Sequence, residues 1–304
     1  MTAPTTHAPD PAAATGRRYG GHSMSATLRA VLVRKPAPPA TGDEWRALGY
    51  PRPADHALAE RQHDAFRAIL RAEVDEVVEA GPDEAGRLDA IFAYDPSFMT
   101  DGGAILLRMG KDLRLDETVF HARDYQRLGI PIFGRIEDPG TVDGGDCFWL
   151  DARTLAVGRG YRTNASGIAQ LGTILGELGV DVLEVALPHW RGPGECLHLM
   201  SLVSPVAADL AVVYPPLLAV GFVEELRSRN WRLVKVPDAE FDTLGCNVLA
   251  LAPGRCLMAD GNPITQARLE DAGCTVLTYE GSEISLNRAG GPTCLTRPLW
   301  RADD

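Results

Sequence analysis

Short apolar runs alternate with amphipathic stretches along most of the chain. Residues 28–33 (LRAVLV) predict a strand. Residues 54–72 predict a helix, with Ala57, Leu58, Phe66, Ile69 and Leu70 on one face. Between them, residues 36–53 are proline-rich and carry Trp45 and Tyr50, which predicts a long loop. Residues 74–78 give the next strand. Residues 90–94 and 104–108 read as a strand pair around Asp101-Gly102-Gly103, followed by a helix over 117–128. Residues 145–150 and 154–158 bracket Asp151-Ala152-Arg153 as a tight hairpin. A helix over 166–178, with Asn164 as its N-cap, leads to a strand at 182–186. The same grammar returns in a strand pair at 199–203 and 210–213, a helix within 215–228 and a strand at 232–236. It returns again in strands 248–251 and 255–259 around Ala252-Pro253-Gly254, a helix at 265–272 and a strand at 275–279.

A unit of two strands, a helix and a strand therefore recurs every ~50–60 residues, too long a period for a solenoid. The fold class is α/β, and modules around an axis explain the recurrence better than a doubly wound parallel sheet. No GxGxxG follows a strand and no GxxxxGK[ST] occurs, so neither a dinucleotide nor a nucleoside triphosphate site is signalled. Residues 1–25 are rich in Ala, Pro, Thr and Gly and lack the apolar stretch of a secretory signal. They read as a disordered leader ahead of a single catalytic domain over residues 26–304.

Thirty basic and 41 acidic side chains give a net charge of −11. That balance disfavours nucleic acid phosphates and anionic membrane surfaces as partners. No window approaches the ~20 apolar residues of a membrane span, and a cytoplasmic location is expected. The six cysteines (147, 196, 246, 256, 274 and 294) are scattered, without a CxxC or a short Cys/His cluster. That pattern gives no metal site and no disulfide framework, and most of these thiols are expected to be buried.

Three stretches carry candidate chemistry. Asp143-Gly144-Gly145-Asp146 sets two acids around two glycines, a spacing that permits close backbone approach. In Cys196-Leu197-His198-Leu199-Met200, one histidine stands at the mouth of a predicted strand. In Gly290-Gly291-Pro292-Thr293-Cys294, a cysteine follows a glycine pair. Singly, each reads as a turn, a core histidine and a packed thiol. Together, Cys294, His198 and Asp143 supply a nucleophile, a general acid/base and an orienting carboxylate.

With these motifs the chain resembles the guanidine-modifying enzymes of the pentein fold, a propeller of five ββαβ modules around a central site. Within that superfamily it is most similar to the dimethylarginine dimethylaminohydrolases. The resemblance runs from about residue 28 to residue 298 and includes Phe92-Ala93-Tyr94-Asp95 and Arg162-Thr163-Asn164. It implies that Asp95 grips the substrate's guanidinium, that Arg114 and Arg162 hold its carboxylate, and that Asp89 is a further substrate-contacting acid. It implies a small guanidino substrate, no metal and no organic cofactor, and it leaves a homodimer open.

Three positions depart from the family pattern. Asp143 stands where the hydrolases carry Glu. Tyr94 stands where they commonly carry Glu beside the gripping Asp. Met200 stands where dimethylargininases carry Lys and where deiminases and amidinotransferases carry Asp. A thioether suits an alkylated nitrogen better than an unsubstituted one. Tyr94 and Met200 are therefore expected in the substrate pocket, and methylated arginine is the expected substrate. The alternatives are arginine deimination, amidino transfer to an amine, another substituted guanidine, or a binding protein without turnover.

Overall fold

The computed structural model describes residues 18–38, 42–82, 86–195 and 197–302. The chain begins with β1 (Thr27–Val33), the short helix α1 (Glu44–Ala47), α2 (His56–Glu73) and β2 (Glu76–Glu79). Then come β3 (Ser97–Thr100), β4 (Gly103–Leu106), α3 (Glu117–Leu128) and β5 (Ile132–Arg135). The third group is β6 (Cys147–Asp151), β7 (Thr154–Arg159), α4 (Ala165–Gly176) and β8 (Asp181–Ala186). The fourth is β9 (Val203–Ala207), β10 (Leu210–Val213), α5 (Val220–Ser228) and β11 (Arg232–Lys235). After α6 (Asp238–Phe241), the last group is β12 (Val248–Ala252), β13 (Arg255–Ala259), α7 (Pro263–Asp271) and β14 (Thr275–Tyr279). The chain closes with β15 (Thr296–Ala302).

These strands form five three-stranded sheets. In each, an antiparallel pair is joined through a helix to a parallel third strand, as in β6–β7 antiparallel and β7–β8 parallel. The sheet that holds both ends of the strand order is completed by the C-terminus: β15 pairs antiparallel with β1, which pairs parallel with β2. This is the five-module pentein propeller that the family resemblance implied, and it accounts for the repeat. Its closing module takes its first strand from the opposite end of the sequence.

Helix starts follow local chemistry. The Asp55 side chain accepts from Leu58 N at the start of α2, and Asn164 does the same for Gly167 N at α4. The core is divided among the contacts between modules. One cluster joins Val31, Phe66, Leu70, Leu249, Leu257 and Tyr279, with Cys294 packed at its edge. Another joins Phe148, Leu199, Met200, Leu202, Phe222 and Trp231.

The predicted elements differ from the fold mainly near the centre. Residues 90–94 are not a strand: Leu88–Ile91 form a 3₁₀ turn, and the strand begins at Ser97. Leu199–Ser201 is likewise a 3₁₀ turn ahead of β9, and Gly144–Asp146 one ahead of β6. An apolar run records burial but does not distinguish a strand from a buried turn. The disorder expected over residues 1–25 does not hold for the described residues 18–25. Gly20 pairs in parallel with Trp300, and His22 stacks on Trp149 with ring centroids 4.0 Å apart. Residues 1–17 lie outside the described residues. Among the described residues, no helix is long and apolar enough to cross a membrane.

His63 on α2 is fully buried, and neither ring nitrogen has a hydrogen-bond partner. Burial, aided by the Arg67 guanidinium, pushes its imidazole down from the usual 6.5 to about 4. Between those values the unfolded chain binds a proton that the folded chain does not. Stability therefore falls as pH drops through that window, by about 3 kcal/mol at pH 4 from this group. His63→Leu should flatten that part of the decline in urea unfolding between pH 7 and pH 4. An unchanged pH dependence would show that the imidazole is not the titrating group.

Candidate active site

A cavity of about 980 Å³ opens where the modules meet. Its walls come from the segments that lead into the first strand of each sheet. Asp95 precedes β3, His198 precedes β9, Asn247 precedes β12 and Cys294 precedes β15, and all four face the cavity. Asp143 precedes β6 and lies directly behind His198. Segments far apart in sequence thus deliver one polar group each to the same place.

Asp143 is fully buried. Its Oδ2 is 2.9 Å from His198 Nε2 and 3.5 Å from Arg162 Nε, and its Oδ1 accepts from Gly110 N at 2.7 Å. Burial pushes its carboxyl up. The His198 hydrogen bond and the Arg162 guanidinium more than offset that push and hold it at about 2. Asp143 is thus a fixed anion that orients the imidazole. Asp146, the second acid of the motif, has a different job. It accepts from Thr163 Oγ1 at 2.6 Å and from Leu199 N at 3.0 Å, which fixes the turn behind His198.

The glycines between the two acids have steric causes. A Cβ on Gly144 would lie 2.2 Å from the Tyr94 carbonyl oxygen, and one on Gly145 would lie 2.4 Å from His198 Nδ1. Their amides serve as well: Gly144 N donates to Asp95 O at 3.0 Å and Gly145 N to Asp95 Oδ1 at 3.1 Å.

The expected binding residues sort into three groups. Asp95, Asp89 and Arg162 line the cavity. Asp89 is already engaged, since its carboxylate accepts from Tyr50 OH at 2.5 Å and from Lys111 Nζ at 3.0 Å. Arg114 also reaches the wall, but its donors turn inward. It forms a fork with Glu117 at 2.9 and 2.8 Å, donates to Asp95 Oδ2 at 2.6 Å, and reaches the Asp89 and Phe92 carbonyls. A guanidinium with its donors so occupied holds Asp95 in place and is not presented to a distant ligand carboxylate. Tyr94 and Met200 do not line the cavity at all. Tyr94 is buried beneath Arg297, whose Cζ lies 3.9 Å from the ring centroid. The backbone sends it and its neighbour Asp95 to opposite sides. Met200 packs into the core with Phe148 and Phe222, because the 3₁₀ turn after His198 rotates it inward and leaves Ser201 on the cavity wall.

Sequence reasoning missed Lys111, Ser201 and Asn247. Lys111 and Ser201 carry no local signature. For Asn247 a signal existed, namely its place in the module repeat directly before a first strand. Tyr50 lies in the predicted loop over 36–53. That segment is not loop throughout, since α1 lies within it; its residues 46–51 line the cavity, and Tyr50 and Lys111 (through Leu48 O) bind it to the floor. Among the described residues, no group of three or more His, Cys, Asp or Glu side chains is arranged to hold a metal ion.

The arginine deiminase family profile matches residues 89–238 and 222–301. The N(G),N(G)-dimethylarginine dimethylaminohydrolase of Streptomyces coelicolor is 30% identical over 88% of this chain and 95% of its own. That of Pseudomonas aeruginosa is 30% identical over 82% of this chain and 90% of its own. Among solved structures, a histidine-to-glycine variant of dimethylarginine dimethylaminohydrolase, an adduct with S-methyl-L-thiocitrulline, superposes with a TM-score of 0.73 at 25% identity. It covers 89% of this chain and 99% of its own.

Gly145→Ala places a methyl group against the His198 ring. It should lower kcat about 100-fold while far-UV circular dichroism stays unchanged, because a displacement of about 1 Å is enough to misplace a catalytic group. Wild-type turnover would show that the ring tolerates the push.

Proposed function

The chain belongs to the family of arginine deiminases and dimethylarginine dimethylaminohydrolases and is a guanidino-modifying hydrolase of amidine C–N bonds; from that premise we propose that it converts dimethylarginine to citrulline and dimethylamine through a covalent Cys294 intermediate, the five modules acting as one catalytic domain. The reading rests on one observation above others: Cys294 and the His198–Asp143 pair flank a cavity that also exposes Asp95. The relatives' name, and the capture of one of them as a thiocitrulline adduct, support a ligand of arginine-like shape.

In this reading the guanidinium pairs with Asp95. Each oxygen of that carboxylate keeps a lone pair beyond those taken by Arg114 and Gly145. Arg114 holds the Asp95 carboxylate in register. Arg162 and Lys111 are then the cations that face the ligand's far carboxylate. The Cys294 thiolate attacks the guanidinium carbon and forms a C–S bond. The C–N bond to dimethylamine breaks, and His198, held through Nε2 by Asp143, gives the departing amine its proton. His198 next takes a proton from water. The resulting hydroxide adds to the thiouronium carbon, the C–S bond breaks as the added hydroxyl loses its proton to solvent, and citrulline leaves with the thiolate restored and His198 protonated for the next cycle.

A second reading, arginine to citrulline and ammonia, is favoured by the family profile and by the placement of Met200. With its thioether in the core, nothing at that position selects an alkylated nitrogen. Purified protein offered arginine, monomethylarginine and asymmetric dimethylarginine separately should release citrulline with dimethylamine from the last. Ammonia from arginine would make it a deiminase. Cys294→Ser should abolish turnover while substrate still binds, and wild-type turnover in that variant would remove the nucleophile assignment.

A further inference from the structure

Four of the five segments that enter a first strand carry a group with a role in the proposed reaction: Asp95, Asp143, His198 and Cys294. The fifth carries Asn247, immediately before β12, and Asn247 is buried on the cavity wall. Its side-chain Nδ2 is 3.3 Å from Cys294 Sγ. Its Oδ1 accepts from Thr293 N at 3.1 Å. The second contact settles which way the amide faces. Thr293 N–H is a donor, so the atom opposite it must be the oxygen, and the NH₂ group must face the sulfur. A Cβ on Gly291 would lie 2.6 Å from the Asn247 side chain, so the second glycine of the cysteine motif makes room for this amide. The segment itself is held firmly: Asn247 N donates to Leu244 O at 2.9 Å, and the preceding Cys246 carbonyl accepts from Ser204 Oγ at 2.7 Å.

A fixed N–H aimed at sulfur favours the charged form over the neutral one, because a hydrogen bond to an anion is about twice as strong as one to a neutral acceptor. We propose that Asn247 is a catalytic residue of this site, its amide N–H donating to Cys294 and holding it as the thiolate. This rests on the reading of Cys294 as the nucleophile. The same donor serves twice, since it meets the thiolate before attack and again when the C–S bond breaks and sulfur leaves.

The test is the rate at which iodoacetamide alkylates Cys294, followed by mass spectrometry of its peptide from pH 5 to pH 10. The four other described cysteines are buried. Asn247→Ala should move the profile to higher pH and slow alkylation at pH 7 about tenfold. Asn247→Asp keeps an acceptor for Thr293 N, and so keeps the loop, but adds a like charge and should slow it further. A wild-type profile in Asn247→Ala with a cooperative melt overturns the proposal. If Asn247→Ala does not fold, a wild-type profile in Asn247→Asp overturns it. Alkylation reads the thiol whether or not turnover passes through it. Turnover in Cys294→Ser would therefore defeat the nucleophile reading. Unchanged profiles in the Asn247 variants beside an inactive Cys294→Ser would defeat the Asn247 assignment alone.

Discussion

Two residues without side chains hold three modules together at the centre of this molecule. Gly144 lies against the Tyr94 carbonyl and Gly145 against the His198 ring, both at distances that a Cβ would forbid. Through that contact the segments entering β3, β6 and β9 come together, and Asp95, Asp143 and His198 become neighbours. The amides exposed by the same pinch donate to the Asp95 backbone and carboxylate. Close packing, hydrogen bonding and placement of the charged groups thus have one cause.

Gathering charge in a buried centre is costly unless every ion has a partner. The structure meets that demand with a chain of pairs: Glu117 with Arg114, Arg114 with Asp95, Lys111 with Asp89, and Arg162 and His198 with Asp143. Loss of one partner in such a set costs on the order of 3–5 kcal/mol, because it leaves an uncompensated buried ion. The consequence for function is selective. Arg114 is committed to Asp95 and Glu117, and its donors turn inward. Asp89 is shared between Lys111 and the Tyr50 hydroxyl, which fastens the long loop after β1 to the cavity floor.

The same ring of modules explains why the site reads so unevenly along the chain. Each first strand is entered by a short segment whose last residues point to the centre. The neighbours of those residues point into the contacts between modules. Asp95 and Tyr94 are adjacent in sequence, yet one faces the cavity and the other lies under Arg297. His198 and Met200 are separated in the same way by a single 3₁₀ turn. Adjacency to a site residue is therefore no guide to membership of the site, and the substrate preference inferred from Met200 loses its basis.

By itself the sequence determined the repeat of strand pairs, helices and third strands, and its motifs carried the family resemblance that implied five modules. Hydrophobic periodicity is a local property, and four of the five modules are contiguous in sequence. It also singled out Cys294, His198 and Asp143, which the fold brings to one place, because glycines and acids in those motifs carry steric and charge requirements that survive in the letters. Tertiary structure alone decided which strand closes the ring, since β15 pairs with β1 across nearly the whole chain. It decided that residues 90–94 turn rather than extend, since burial there comes from neighbouring modules. It decided that Arg114 faces Glu117 and Asp95, that Tyr94 and Met200 face the core, and that Asn247 reaches Cys294. Each of these depends on the direction of a side chain, and except for Glu117, three residues from Arg114, the partners are brought close only by the fold.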